Sequence, residues 1–155
     1  MNNEFKIELS QYYITGIPGI DTQHNEIFTM LDHLLDSLEN EKSSRDDINT
    51  AIHDIFDKMR THIATEESLM EMIDFPKAAE HKAQHDNLFN MLAEESKILN
   101  SRDNAKISRF LRSYQHIAIT HISIFDREYV NHIEKFKATK STFRKSLARG
   151  EAIAG

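Results

Sequence analysis

Four stretches of the chain repeat apolar residues at steps of three and four, the spacing that gathers one face of an α-helix. The first runs from about Asp21 to Asn40, with Asp21 or Thr22 as N-cap. Its stripe reads His24, Ile27, Phe28, Leu31, Leu34, Leu35 and Leu38. The second runs from about Arg45 to Ile73 behind the capping-box pair Ser44 and Asp47, through Ile48, Ile52, Ile55, Phe56, Met59, His62, Ile63, Glu66, Leu69 or Met70, and Ile73. The third starts at Pro76, a favoured first-turn residue, and runs to about Leu99 through Ala78, His81, His85, Leu88 and Leu92. The fourth, after a polar break at 100–104, runs from about Ala105 to Phe136 through Ile107, Phe110, Leu111, Tyr114, Ala118, His121, Phe125 and Tyr129. Four amphipathic helices with short links predict an all-α fold, an up-down-up-down four-helix bundle. The expected organisation is an N-terminal arm over 1–19, read as non-helical, the bundle over 20–136 and a C-terminal tail over 137–155.

Each stripe is interrupted by residues that do not belong in a core. An unpaired buried polar group costs a few kcal/mol and a lone charge more, against a total stability of about 5–15 kcal/mol. Five imidazoles and a carboxylate at core positions must therefore satisfy something jointly, and a cation does so: lone pairs become ligands and its charge offsets the carboxylate. The pairs His62/Glu66 and His81/His85 are four apart, one turn along one face, while His24 and His121 come from the other two helices. A lone stripe histidine is ordinarily a core-edge residue with one hydrogen bond; all four helices offering such residues together is the signal. Asp126 lies about 140° round from His121 on an α-helix, so spacing leaves it open between a ligand and a surface carboxylate. His33, His53, His116 and His132 lack partners at ligand spacing and read as surface or rim residues. Glu67 points away from Glu66 and reads as solvated or supporting. Five imidazoles suit two ions better than one, and imidazole with carboxylate favours Fe, Mn or Zn over Cu(I), Ca or Mg.

Composition narrows the remainder. The chain has no Cys, which excludes thiolate sites, and only four Gly and two Pro, which disfavours an all-β fold. A net charge of −6 argues against nucleic acid as the main partner. No apolar run is long enough for a membrane span and no signal peptide is evident at the start, so the expectation is a cytoplasmic protein. Six cations and no anion lie between Lys135 and Arg149. That tail reads first as a solvated continuation of the fourth helix. The functional alternative, with Phe136, Phe143 and Leu147 on one face, is contact with an acidic protein or a membrane surface.

The segments "GIPGIDTQH" (16–24), "THIATEESLM" (61–70), "FPKAAEHKAQHDNLF" (75–89) and "HISIFDREY" (121–129) together resemble the hemerythrin family, specifically single-domain bacterial hemerythrins. The resemblance implies a four-helix bundle around a non-haem di-iron site that binds O2 reversibly. By motif, His24 and His62 would hold one iron and His81, His85 and His121 the other. Glu66 and Asp126 would bridge them, with an oxo or hydroxo group as third bridge. O2 would bind at the iron with two histidines, in an apolar pocket expected from Ile27, Phe28, Met59, Ile63 and Ile117. The chain departs from the family pattern where Trp-Leu often precedes the last histidine: here stand Ile117 and Ala118. A smaller residue at 118 widens the pocket and favours faster autoxidation. Oxygen transport, storage or delivery is the leading expectation, with no enzymatic turnover. An O2 or redox sensor, or a peroxide- or NO-scavenging di-iron protein, is the alternative.

Overall fold

The computed structural model describes residues 11–41 and 43–148, and among these no strand occurs. The first long helix, α1, spans Pro18–Glu39 and opens on proline in its first turn, where a missing N–H costs nothing. It begins three residues before the expected start because Asp21 is not its cap. The Asp21 carboxylate instead reaches back and accepts from the Thr15 amide (2.6 Å), the Thr15 hydroxyl (2.7 Å) and the Gly16 amide (3.0 Å). Gly16 takes φ +85°, the left-handed conformation that glycine adopts freely, and this turns the arm onto the helix. The arm is not wholly extended: residues 11–13 are helical.

Helix α2 spans Arg45–Met72 and starts at the capping box read from the sequence, with Ser44 and Asp47 each satisfying the other's amide. The third stripe divides into α3, Ala78–Glu94, and a short α4, Ser96–Leu99. Pro76 lies in the preceding turn rather than in the helix, and Asp74 there takes φ 49°, which Asp tolerates better than most residues. Helix α5 spans Asn104–His121, capped by the Asp103 carboxylate on the Lys106 amide (3.0 Å). It passes without a break into a π-helical turn, Ile122–Asp126, and then into α6, Arg127–Ala148. Helix α6 therefore runs on past Phe136. Lys135, Lys137, Lys140 and Lys145 are exposed along it, and Lys140 lies over the Phe136 ring. The side chains of Phe143 and Leu147, and residue Arg149, lie outside the described residues, as do arm residues 1–10. No described helix is long and apolar enough to cross a membrane.

Two apolar clusters form the core. The larger gathers Ile27, Leu31, Leu35, Ile55, Leu88, Ile107 and Tyr114 with their neighbours from α1, α2, α3 and α5. The smaller joins Met70, Ile73 and Phe75 to Tyr129, Val130 and Ile133 of α6. Each fully buried aliphatic side chain contributes about 1.5–3 kcal/mol, so these clusters fix how the helices lie against one another. Between them every long helix changes character at the same level: His24 on α1, His62 and Glu66 on α2, His81 and His85 on α3, and His121 and Asp126 around the π-turn are all buried.

Candidate metal centre

The π-turn explains how Asp126 reaches this level. An α-helix stacks residue i+4 above i, whereas i→i+5 bonding stacks residue i+5. His121 and Asp126 are five apart, and in the structure His121 Nε2 lies 3.1 Å from Asp126 Oδ1. The widened turn also leaves Ile124 half-exposed, an unusual place for a large aliphatic residue.

All seven candidate ligands meet in one buried centre. His24 and His62 place their Nε2 atoms 3.1 Å apart, and His81 and His85 do the same. Glu66 Oε2 lies 3.1 Å from His85 Nε2 and 3.5 Å from His62 Nε2. Asp126 lies 3.2 Å from His81 Nε2 through Oδ1 and 3.5 Å from His24 Nε2 through Oδ2. His33, His53 and His116 are exposed, and His132 sits half-buried with Nε2 3.3 Å from the Ile73 carbonyl.

The outer ring nitrogens fix what the inner ones present. His24 Nδ1 donates to the Tyr13 carbonyl (2.9 Å), an oxygen that can only accept. Gln23 donates through Nε2 to the Thr65 hydroxyl, so its Oε1 is left to accept from His62 Nδ1 (3.0 Å). His85 Nδ1 donates to Glu67 Oε1 (3.4 Å), a carboxylate also held by Lys82. With the proton on Nδ1, a neutral ring presents a bare Nε2 lone pair. The inner face of the centre is thus a set of lone pairs aimed at lone pairs. Neither carboxylate oxygen of Asp126, nor His121 Nε2, makes a well-directed hydrogen bond, although His121 Nε2 and Asp126 Oδ1 stand 3.1 Å apart and all three atoms are buried. Buried polar atoms are otherwise nearly always paired. A donor-poor, acceptor-rich cluster of this kind fits a cation.

The electrostatics agree. Burial, and then the charge of Asp126, push the Glu66 carboxyl up to about 8. Burial also raises Asp126, but the imidazoles of His121, His24 and His81 outweigh it and hold that carboxyl below its ordinary range. Burial, with the neighbouring His24, lowers His62 to about 3, and burial likewise lowers His85 and His121. Three imidazoles are therefore held neutral, as ligation requires, whereas for His24 the lowering by burial is outweighed by the Asp126 carboxylate and the value is raised. The ligand atoms divide into two groups whose members lie within 4.8 Å of one another: His24, His62, Glu66 and Asp126, and His81, His85, His121, Glu66 and Asp126. Each could hold an ion, and the two carboxylates belong to both.

A cavity of about 50 Å³ opens beside the centre, lined by His24, His62, His85 and His121 and by an apolar wall. Ile27, Phe28, Met59, Ile63 and Ala118 belong to that wall. Ile117 does not line it; it packs half-buried against the larger core cluster. Leu31, Leu88, Tyr114 and Ile122 complete the lining. Their stripe positions marked most of these as core, and nothing in the sequence marked them as cavity wall. The supporting residues Gln23 and Tyr129 were also not singled out. Tyr129, fully buried, donates to Glu66 Oε1 at 2.6 Å.

A helical bundle with a buried His/Glu/Asp cluster of this composition is a cation-binding protein by its architecture. Residues 15–135 match the hemerythrin HHE cation binding domain, and the chain belongs to the hemerythrin family. Similar proteins include a bacteriohemerythrin of Methylococcus capsulatus, 28% identical over 118 residues, which is 74% of this chain and 86% of that protein. Another, from Stenotrophomonas maltophilia, is 35% identical over 79 residues, 51% of this chain and 50% of the relative. A third, from Pseudomonas aeruginosa, is 32% identical over 80 residues, 52% and 51% of the two chains. The chain thus spans about half the length of the last two. No solved structure matches it.

Proposed function

We propose that this protein binds O2 reversibly at a non-haem di-iron centre, in the service of oxygen transport, storage or delivery. The observation that carries the reading is the division of the ligand atoms into two overlapping groups that share Glu66 and Asp126. In this reading His24 and His62 hold one ion and His81, His85 and His121 the other, with the two carboxylates spanning both. When bound, the iron pair supplies a redox-active metal with an open coordination position, which is what holding O2 requires.

The chain's own residues do the rest. The half with two imidazoles has one fewer protein ligand than the half with three, so the room for an external ligand belongs to it; the cavity itself is lined from both halves, by His24 and His62 and by His85 and His121. Ile27, Phe28, Met59 and Ile63 keep water and protons from that space. Tyr13, Gln23 and Glu67 keep the protons of His24, His62 and His85 on Nδ1 and so keep Nε2 free to ligate. Tyr129 holds Glu66 Oε1 and leaves Oε2 turned to the imidazoles. The family relatives are named bacteriohemerythrin, which supports iron as the metal. A second reading, an O2 or redox sensor or a scavenger of peroxide or NO, is favoured by Ala118, which contributes only a methyl to the cavity lining.

The test is the visible spectrum of anaerobically iron-loaded, reduced protein on exposure to O2. The expected result is a new absorption band that disappears when O2 is removed and returns on a second exposure. Direct, irreversible conversion to the oxidised spectrum would reject the carrier role and favour the second reading.

A further inference from the structure

Tyr114 departs from the rest of the cavity wall. Apart from the imidazoles, the lining is aliphatic, aromatic or thioether at every other position. Tyr114 stands two turns before His121 on α5, so both face the same side, and it is fully buried. Its hydroxyl donates to Met59 Sδ at 3.7 Å, and Met59 lines the same cavity. A thioether is a weak acceptor, so this buried O–H is poorly used as the cavity stands. Phe would fill the position with no donor to satisfy. One turn on, Ala118 also lines the cavity and offers only a methyl. A cavity of about 50 Å³ admits a guest of a few atoms, since one water needs about 10–15 Å³.

We infer that Tyr114 is the hydrogen-bond donor of the cavity, recognising a small anion or polar diatomic held beside the imidazoles that line it. The inference rests on the proposed metal centre and specifies how its cavity selects a guest. Burial pushes the Tyr114 phenol above its ordinary range, so it keeps its proton at any physiological pH. In a water-excluded space one such donor discriminates a guest that accepts from one that does not, and the guest displaces the sulfur as the better acceptor.

The test is azide titration of the iron-loaded, oxidised full chain, followed by the visible charge-transfer band of the bound anion. Tyr114→Phe should weaken azide about tenfold and move the band, with iron content and melting temperature unchanged. Met59→Leu removes the competing acceptor and should bind azide at least as tightly as the parent. Equal affinity and an unmoved band in Tyr114→Phe would overturn the inference while leaving the centre intact. Loss of iron in that variant would make Tyr114 a packing residue and overturn it too. A parent protein that takes up no iron, or takes it up and binds no azide, would overturn the proposed centre itself.

Discussion

The two halves of the centre use the same side chains but are braced differently. His24 and His62 are held by uncharged acceptors, the Tyr13 carbonyl and the Gln23 amide, and both face the cavity. On the other side His85 is held by the Glu67 carboxylate, itself paired with Lys82; His85 and His121 also face the cavity, and His81 lies away from it. An anionic partner makes an imidazole a stronger donor to a metal than a neutral one does. In the proposed reading the crowded half would keep its ion and the open half would exchange a ligand. The arm belongs to the open half, because Tyr13 both anchors His24 and stacks on Phe28 with ring centroids 4.6 Å apart.

The largest effect should come from breaking what the halves share. Glu66→Ala should abolish iron binding at both positions, whereas His62→Ala should keep about half the parent's iron, measured by elemental analysis after identical loading. Equal losses in the two variants would remove the division into halves. Next in size, Tyr129→Phe withdraws the hydroxyl that fixes Glu66 and should weaken metal affinity about 10–100-fold in a chelator competition. Unchanged affinity would show that Glu66 needs no such support.

Metal removal should expose the strain of the centre through pH. Without an ion, Glu66 takes up a proton on folding, so folding grows weaker as pH rises from about 6.5 towards 8, by about 2 kcal/mol. His62, His85 and His121 have lowered values and are neutral when folded, so below about 6.5 protonation favours the unfolded chain. Urea melts of metal-free protein should therefore be most stable near pH 6.5, with the alkaline loss abolished by metal. A flat profile would contradict this assignment of protons. The smallest change concerns the cavity wall: Ala118→Leu, adding bulk there, should slow autoxidation severalfold by stopped-flow absorbance. An unchanged rate would clear Ala118 of admitting water.

The sequence made the four helical stripes legible, and with them His24, His62, Glu66, His81, His85 and His121, because helical period places them where only apolar residues belong. Asp126 is not legible from spacing, since α-helical period puts it about 140° from His121 and only the π-turn aligns the two. The start of α1 was misplaced because Asp21 looks the same in sequence whether it caps a helix or ties back an arm. The end of α3 was overrun for a related reason: nothing at Glu95 breaks the apolar rhythm. Gln23 and Tyr129 act through contacts between helices, which periodicity along one helix does not register.

The central claim is two ions in one shared centre, and anomalous diffraction at the iron edge from crystals of iron-loaded protein tests it most directly. The account predicts two peaks, one between His24 and His62 and one among His81, His85 and His121, with Glu66 and Asp126 touching both. A single peak, or iron bound away from these residues, would contradict it.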